Sequence, residues 1–185
     1  AAQSLGMTEV PVWWFDGSHL SKSPAQWDPA KLAWVNAHYV RHSPDQRLAG
    51  LVADHLRRRG FEAEADERMA RRCALFRDRC TTTIELADWL QMYFERPTPL
   101  AEDVAKHVTD DIRPALATLR EALADITWDK ASIQAAIKRA IVEHGLKMPQ
   151  LAIPVRVLVC GRAQTPSIDA VLELFDRAAV IERLA

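Results

Sequence analysis

The fold of this chain is decided by the stretch PVRVLVCGRAQTPSID, residues 154–169. Its valines favour a strand by propensity, but that preference is weak and depends on context. The sequence offers no second strand candidate, and a lone strand would leave its backbone groups without hydrogen-bond partners. We therefore predict that residues 155–160 form a buried helix, and that the chain is all-α with no substantial sheet.

The same stretch places a cation next to the start of a second element. Pro154 and Pro166 each suit the first position of a helix, where the backbone N–H is not needed. We expect Thr165 to cap the helix that follows, with its amide donors and positive end facing outward. A guanidinium such as that of Arg156, beside an open helix end, suits phosphate or base-edge recognition. A helix hairpin with one surface arginine explains the same residues and stays open here.

Helix signals extend through the rest of the chain. In the first helix, Leu32, Val35 and Tyr39 share one face, which we expect to be buried. Thr82 and Glu85 have the spacing of a capping box, in which each satisfies the other's end of the first turn. Further helix starts are predicted at Asp28, Ser43, Asp66, Leu100, Thr109 and Asp129.

The clearest break between these helices is RPTP, residues 96–99. We place a boundary there between two consecutive helical-bundle subdomains, residues 14–97 and 98–185. Residues 1–13 are set apart as an N-terminal segment, either an expression remnant or the edge of a longer polypeptide.

Bulk charge excludes a nonspecific nucleic-acid coat. The net charge is −1, whereas such coats are basic, so any RNA binding has to come from a local patch. Three cysteines without a secretory signal indicate reduced thiols. No run approaches the roughly 18 apolar residues of a membrane span.

A search for catalytic chemistry finds no site. The six glycines are isolated, so no glycine-rich phosphate loop is present. Lys22 invites comparison with a nucleotide-binding lysine loop, but the sequence lacks the matching histidine motif. His38 and His42 have the spacing of a metal pair, yet two ligands fall short of a site, and we assign them no metal.

Arg79 is the strongest candidate for nucleic-acid chemistry. It lies between Phe76 and Cys80, which we expect to point inward, and just before the capped helix start at Thr82. It can therefore emerge at the floor of a groove, where its planar donor fork can pair with the acceptors of a base edge. Unstacked bases of single-stranded RNA are read in this way.

Three blocks of the sequence together resemble bacterial glutamyl-tRNA synthetases. They are residues 154–169, KSPAQWDPAKLAWVNAHY at 22–39 and RDRCTTTIEL at 77–86. They occur in the family's order and at family-like separations, and the resemblance runs from about Trp14 to Ala185. It covers only the anticodon-binding half of such an enzyme, which is all-α.

The resemblance implies a function and a set of site residues. Arg79 falls on the position that reads the third anticodon base, and Arg156, Thr165, Pro166 and Ile168 fall on positions that contact the other anticodon bases. The implied partner is tRNA(Glu), bound by a cytoplasmic monomer with no membrane contact. The parent enzyme would join glutamate to tRNA with ATP and Mg²⁺, while this chain carries no catalytic residue and no cofactor. Whether the parent also charges tRNA(Gln) stays open.

Two other functions compete with this interpretation. A helical protein-interaction scaffold without an RNA role would tolerate replacement of Arg79. A complete small enzyme would need a concave pocket with convergent titratable groups, which the sequence does not show.

Overall fold

The protein is described by a computed structural model over residues 28–185. Within that range the chain forms helices and no strand, so the predicted all-α class is confirmed. The α-helices are α1 (Pro29–His42), α2 (Asp45–Arg58), α3 (Glu67–Phe76), α4 (Thr83–Leu90), α5 (Ala101–His107), α6 (Arg113–Ala124), α7 (Lys130–Glu143), α8 (Met148–Cys160), α9 (Ile168–Glu173) and α10 (Arg177–Arg183). Two 3₁₀ turns cover Arg77–Arg79 and Gln91–Tyr93. The segment 1–13 and the loop around Lys22 lie outside the described residues.

Several predicted helix starts are confirmed by side-chain caps. The carboxylates of Asp28, Asp66 and Asp129 accept hydrogen bonds from backbone N–H groups in the first turns of α1, α3 and α7. The hydroxyl of Thr82 accepts from the N–H of Glu85. The Glu85 carboxylate accepts chiefly from the N–H and hydroxyl of Thr81, one residue before its predicted partner.

Two other predicted caps are wrong. Thr109 does not cap α6, which begins four residues later at Arg113 and has Pro114 in its first turn. Thr165 does not cap α9, which begins at Ile168 with Ser167 at the capping position. In both places a short turn separates the polar residue from the helix, and sequence alone did not show that turn.

The first helix buries a different face from the predicted one. Leu32 and Tyr39 are exposed, and the buried residues of α1 are Ala37 and Val40. The reason is that α1 packs against the 3₁₀ turn Arg77–Arg79, so the residues that face this turn are covered. The apolar spacing was correct for a helix, but it did not identify the packed side.

Helix α8 is the centre of the second half of the chain. It packs against α5, α6, α7, α9 and α10, which explains why it is apolar nearly all round and has valines on several faces. The predicted buried helix over residues 155–160 is therefore confirmed. Pro154 and Pro166 do not start helices, because Pro149 lies in the first turn of α8, Pro154 lies inside that helix and Pro166 precedes α9.

Gly161 ends α8 where the backbone passes close to Pro97. Its φ is +70°, and its N–H donates to the carbonyl of Val157. A Cβ at this position would lie 2.7 Å from the Cβ of Pro97. Glycine is therefore required twice over, by the left-handed backbone and by the contact with residues 96–99.

The two halves share one buried core within the described residues. The apolar cluster runs from Val40 in α1 through Phe76 to Leu172 and Leu184. The division at residues 97/98 remains a prediction, since helix contacts lie mainly within each half while the buried cluster crosses between them. Over residues 28–185 no helix has the length and apolar character that crossing a membrane would take.

Candidate nucleic-acid interface

Arg79 lies on a turn that buried residues hold on both sides. It belongs to the 3₁₀ turn between α3 and α4, and its flanking residues Phe76 and Cys80 are both buried. The Arg79 side chain is consequently directed outward and is exposed. Its Nη2 donates to the carbonyl oxygen of Thr165 at 3.3 Å. The expectation that Arg79 emerges at the floor of a groove remains a prediction.

Arg156 reaches the same threonine from the opposite side. It lies on α8, is half-buried, and its Nε donates to Oγ1 of Thr165 at 3.1 Å. Burial lowers the pKa of Arg156, and the neighbouring charge of Arg79 lowers it further. An arginine remains charged under these conditions. Thr165 therefore joins two cations that are far apart in sequence, using its carbonyl for one and its hydroxyl for the other.

Thr165 and the residues after it lie beneath the Arg79 and Arg156 side chains. Thr165 is buried, and its hydroxyl donates to the carbonyl of Pro166 at 2.9 Å while accepting from Arg156. Pro166 is half-buried beside it. Ile168 is only 5% exposed and packs in the core, so its side chain offers little surface to a ligand. A contact of Thr165, Pro166 or Ile168 with a base remains a prediction.

A pocket opens beside Arg156. It has a volume of about 400 Å³ and lies between α7, α8 and the start of α9. Most of its wall is apolar, and Arg156, Gln134, Ser167 and Asp169 supply the polar groups. Its lining residues are Gln134, Ile137, Met148, Pro149, Ala152, Ile153, Arg156, Ser167, Ile168 and Asp169.

The other arginines near Arg79 have structural partners. Arg71 pairs with Glu173 at 2.9 Å, and Arg77 pairs with Asp45 at 2.7 Å. Arg71, Arg72, Arg77 and Arg79 lie close together in the sequence. The structure separates them, and only Arg79 of the four contacts Thr165.

Arg72 is a structural residue of the seam between the two halves. It is 7% exposed, its Nη2 donates to the carbonyl of Leu174 at 2.9 Å, and its guanidinium lies 4.3 Å from the ring centre of Tyr93. Burial lowers its pKa to about 10. Sequence analysis missed this role, because the acceptor is a backbone carbonyl about a hundred residues away.

Arg183 closes the other side of the seam. It is 6% exposed, and its Nη1 donates to the carbonyls of Met92 and Val159, both at 2.9 Å. Its guanidinium lies 5.0 Å from the ring centre of Phe175, which in turn lies 4.2 Å from that of Tyr93. This stack and the shared apolar core together hold the two halves, and with them Arg79 and Arg156, in place.

A further cation near the site was not singled out from the sequence. Arg162 follows the glycine that ends α8, is exposed, and lies 4.1 Å from the ring centre of Trp89. This arrangement is a cation–π contact, which holds the guanidinium in place at the surface. The available signal was its position within the stretch 154–169, between Arg156 and Thr165.

The remaining reactive side chains show no catalytic arrangement. Cys73, Cys80 and Cys160 are buried and unpaired, and burial raises their pKa values to about 12, 11 and 12. Their thiols are therefore un-ionised core fillers. The rings of His38 and His42 stack at 4.2 Å. Across the part of the chain that the structure describes, no three histidine, cysteine or acidic side chains converge as metal ligands.

Comparison with known proteins assigns the class. A family model described as an anticodon binding domain matches residues 47–185. The chain therefore belongs to the anticodon-binding domain family, which agrees with a site built from two arginines on an all-α scaffold.

The relatives within this class are glutamate–tRNA ligases. The chain is 58% identical to the glutamate–tRNA ligase of Leptothrix cholodnii over 174 residues, and 54% identical to that of Paracidovorax citrulli over 173 residues. These matches cover 94% and 92% of the chain but only 37% and 36% of the relatives. The resemblance drawn from the three sequence blocks is thereby confirmed, and the chain spans little more than a third of such proteins.

A solved structure has the same fold. The crystal structure of a glutamate tRNA ligase from Elizabethkingia meningosepticum superposes with a TM-score of 0.81 at 19% identity. The superposition covers 92% of this chain and 34% of that one. At this identity the likeness supports the helical architecture and nothing more specific.

Proposed function

We propose that this chain binds the anticodon loop of tRNA(Glu) and thereby selects the tRNA that a glutamate–tRNA ligase charges. The observation that carries the proposal is the meeting of Arg79 and Arg156 at Thr165, across the two halves of the chain. Membership of the anticodon-binding domain family supports it and favours it over a protein-interaction scaffold. Neither guanidinium is neutralised by a salt bridge within residues 28–185.

The two cations suit different bases of the loop. A guanidinium has five N–H donors, and the contact with Thr165 uses one from each arginine. Arg79 is exposed and presents its planar fork to an unpaired base, for which we propose the third anticodon position. Arg156 lies at the rim of the pocket and suits a base that enters it. Contacts with phosphates position a nucleic acid, whereas contacts with base edges select its sequence.

The charge of the chain limits how it binds RNA. With a net charge of −1, no broad positive field attracts the phosphate backbone. Binding therefore depends on a local patch of cations, and the affinity should fall as the salt concentration rises. We infer that discrimination comes mainly from base contacts at Arg79 and Arg156.

The parent protein would supply the chemistry that this chain lacks. We propose that it joins glutamate to tRNA with ATP and Mg²⁺, acts in the cytoplasm and is a monomer. We propose that both cofactors bind to the remainder of the parent. An arginine at position 79 favours tRNA(Glu) alone over a parent that also charges tRNA(Gln).

The test is the discrimination of the third anticodon base. Wild-type chain and the Arg79→Gln variant are titrated with tRNA(Glu) and with the same tRNA carrying another base in place of the third-position cytosine. Arg79→Gln should reduce the preference for cytosine by about 1–3 kcal/mol, the usual worth of a bidentate base contact. The matched control is Arg139→Gln, which makes the same charge change at an exposed position on α7.

The outcome is clear in either direction. Arg139→Gln should lower the affinity for both tRNAs slightly and equally, because it changes only the general electrostatics. If wild type and Arg79→Gln show the same ratio of affinities for the two tRNAs, Arg79 does not read that base. If wild type itself fails to distinguish tRNA(Glu) from an anticodon-swapped tRNA, the proposed function is wrong.

A further inference from the structure

Asp169 is a buried carboxylate without a partner. It is the second residue of α9 and is only 6% exposed. Among the hydrogen bonds and salt bridges formed within residues 28–185, none involves its side chain. Its carboxylate oxygens are not fully enclosed, because Arg72 Nε is the one buried side-chain polar atom within residues 28–185 that lacks a hydrogen-bond partner. Within the described residues, the acceptors of this first-turn carboxylate are therefore free for a ligand that reaches the start of α9.

The Asp169 carboxylate lines the pocket beside Arg156. The pocket volume of about 400 Å³ lies in the range of roughly 300–1,000 Å³ typical of small-ligand sites. Arg156 supplies hydrogen-bond donors at one wall, and Asp169 supplies acceptors at another. Apolar side chains of Ile137, Ile153 and Met148 form much of the remaining wall, as expected for a flat, weakly hydrated ligand.

Arg156 and Asp169 interact electrostatically but form no salt bridge with each other. The charge of Asp169 favours the charged form of Arg156, and Arg156 nonetheless bonds to Thr165 instead of Asp169. Hence the acceptor and the donor are held apart across a space that a third group can fill. A pyrimidine ring presents an N–H donor next to carbonyl or ring-nitrogen acceptors, and so complements both walls at once.

We propose, on the basis of the proposed function, that Asp169 is a specificity-determining residue. It accepts an N–H from the Watson–Crick edge of an unpaired anticodon pyrimidine that Arg156 holds in the pocket. The bound base donates a hydrogen bond to the carboxylate. A base that has no N–H donor opposite Asp169 is rejected, because it would leave the carboxylate without a hydrogen bond. Purines are disfavoured where they present an acceptor to the same oxygen.

The decisive variant is Asp169→Asn. It preserves the size of the side chain, removes the negative charge and turns one acceptor into a donor. The full 185-residue chain and this variant are titrated with tRNA(Glu) transcripts in which the first or second anticodon position carries each of the four bases or an abasic nucleotide. We expect about 5- to 150-fold weaker binding of the native loop, corresponding to the worth of a good base contact, together with a changed order of base preference at one position.

The abasic transcript separates recognition from structure. When the selected base is missing, wild type and Asp169→Asn should bind equally, because no partner for residue 169 remains. The free variant should also melt close to wild type, since the carboxylate makes no hydrogen bond or salt bridge within residues 28–185 that its loss would break. A loss of affinity that persists on both abasic transcripts, or an unchanged order of preference at both positions, overturns the proposal.

The same titration keeps the two proposals distinguishable. If wild type discriminates among anticodons and Asp169→Asn discriminates identically, only the role of Asp169 is wrong. If wild type does not discriminate among anticodons at all, the proposed function itself fails. A lower melting temperature for the free variant shows a structural role for Asp169 and also overturns the inference.

Discussion

Replacement of Gly161 by alanine should destabilise the protein for two separable reasons. The backbone at this position is left-handed, with φ of +70°, and an L-residue there costs roughly 1–2 kcal/mol. In addition, the new Cβ would lie 2.7 Å from the Cβ of Pro97 and 3.0 Å from its Cγ. These atoms belong to a rigid ring, so the strain cannot be relieved by a change of rotamer.

The two terms give an expected magnitude. Overpacking in a well-filled site costs typically 1–3 kcal/mol. Added to the backbone term, the free energy of unfolding of Gly161→Ala should fall by about 2–5 kcal/mol. For a chain of this length, each kcal/mol lowers the melting temperature by roughly 2–4 °C.

Two other glycines provide matched controls. Gly145 also has a left-handed backbone, with φ of +63°, but a Cβ there would meet nothing within 4 Å. Gly145→Ala therefore measures the backbone term alone. Gly50 lies inside α2 with open space around it, so Gly50→Ala should raise stability by roughly 0.8–1.0 kcal/mol.

Urea unfolding of the three variants at one pH and temperature tests this reasoning. Gly161→Ala should be less stable than Gly145→Ala by the cost of the contact with Pro97, about 1–3 kcal/mol. Equal losses for the two variants would show that the chain relieves the contact without cost. The explanation of Gly161 as a close-approach residue would then be refuted, although its backbone role would stand.

Two further predictions concern the seam and a helix cap. Arg183→Met should lower the free energy of unfolding by about 2–5 kcal/mol, because the two carbonyls that accept from Arg183 are left without a donor. Urea unfolding measures this loss. The control is Arg58→Met at an exposed position, which should change the free energy of unfolding by no more than about 0.5 kcal/mol. Hydrogen bonds from the N–H of Thr81, and secondly from its hydroxyl, lower the pKa of Glu85. The ionised carboxylate therefore stabilises the fold at pH values above its ordinary pKa of about 4.3. This stabilisation is lost as the pH falls through the lowered pKa. Glu85→Gln should therefore remove a small part of the acid destabilisation, a few tenths of a kcal/mol at this exposed site, and a wild-type acid transition identical to that of the variant would contradict the assignment.

Sequence reasoning succeeded where structure is set locally. The caps at Asp66 and Asp129 depend on residues three positions apart, and their chemistry is visible in the sequence. The buried helix over residues 155–160 also followed, because no partner strand was available to satisfy a sheet. In each case the physical cause lies within one turn or in a simple requirement of the backbone.

It failed where the deciding partner is distant. The buried role of Arg72 depends on a carbonyl at Leu174, and that of Arg183 on a carbonyl at Met92; a backbone acceptor has no sequence signature. The packed side of α1 was mistaken for the same reason. Arg79 was identified by its local position between two core residues, but its contact with Thr165 required the fold.

The acceptors along the seam have a consequence for recombining related chains. Arg68 and Arg72 on the first half, and Arg183 on the second, all donate to main-chain oxygens across the junction. A carbonyl is the same atom whatever side chain it carries. A chimera that joins one half to the other half of a homologue therefore keeps these hydrogen bonds as long as the arginines are carried over.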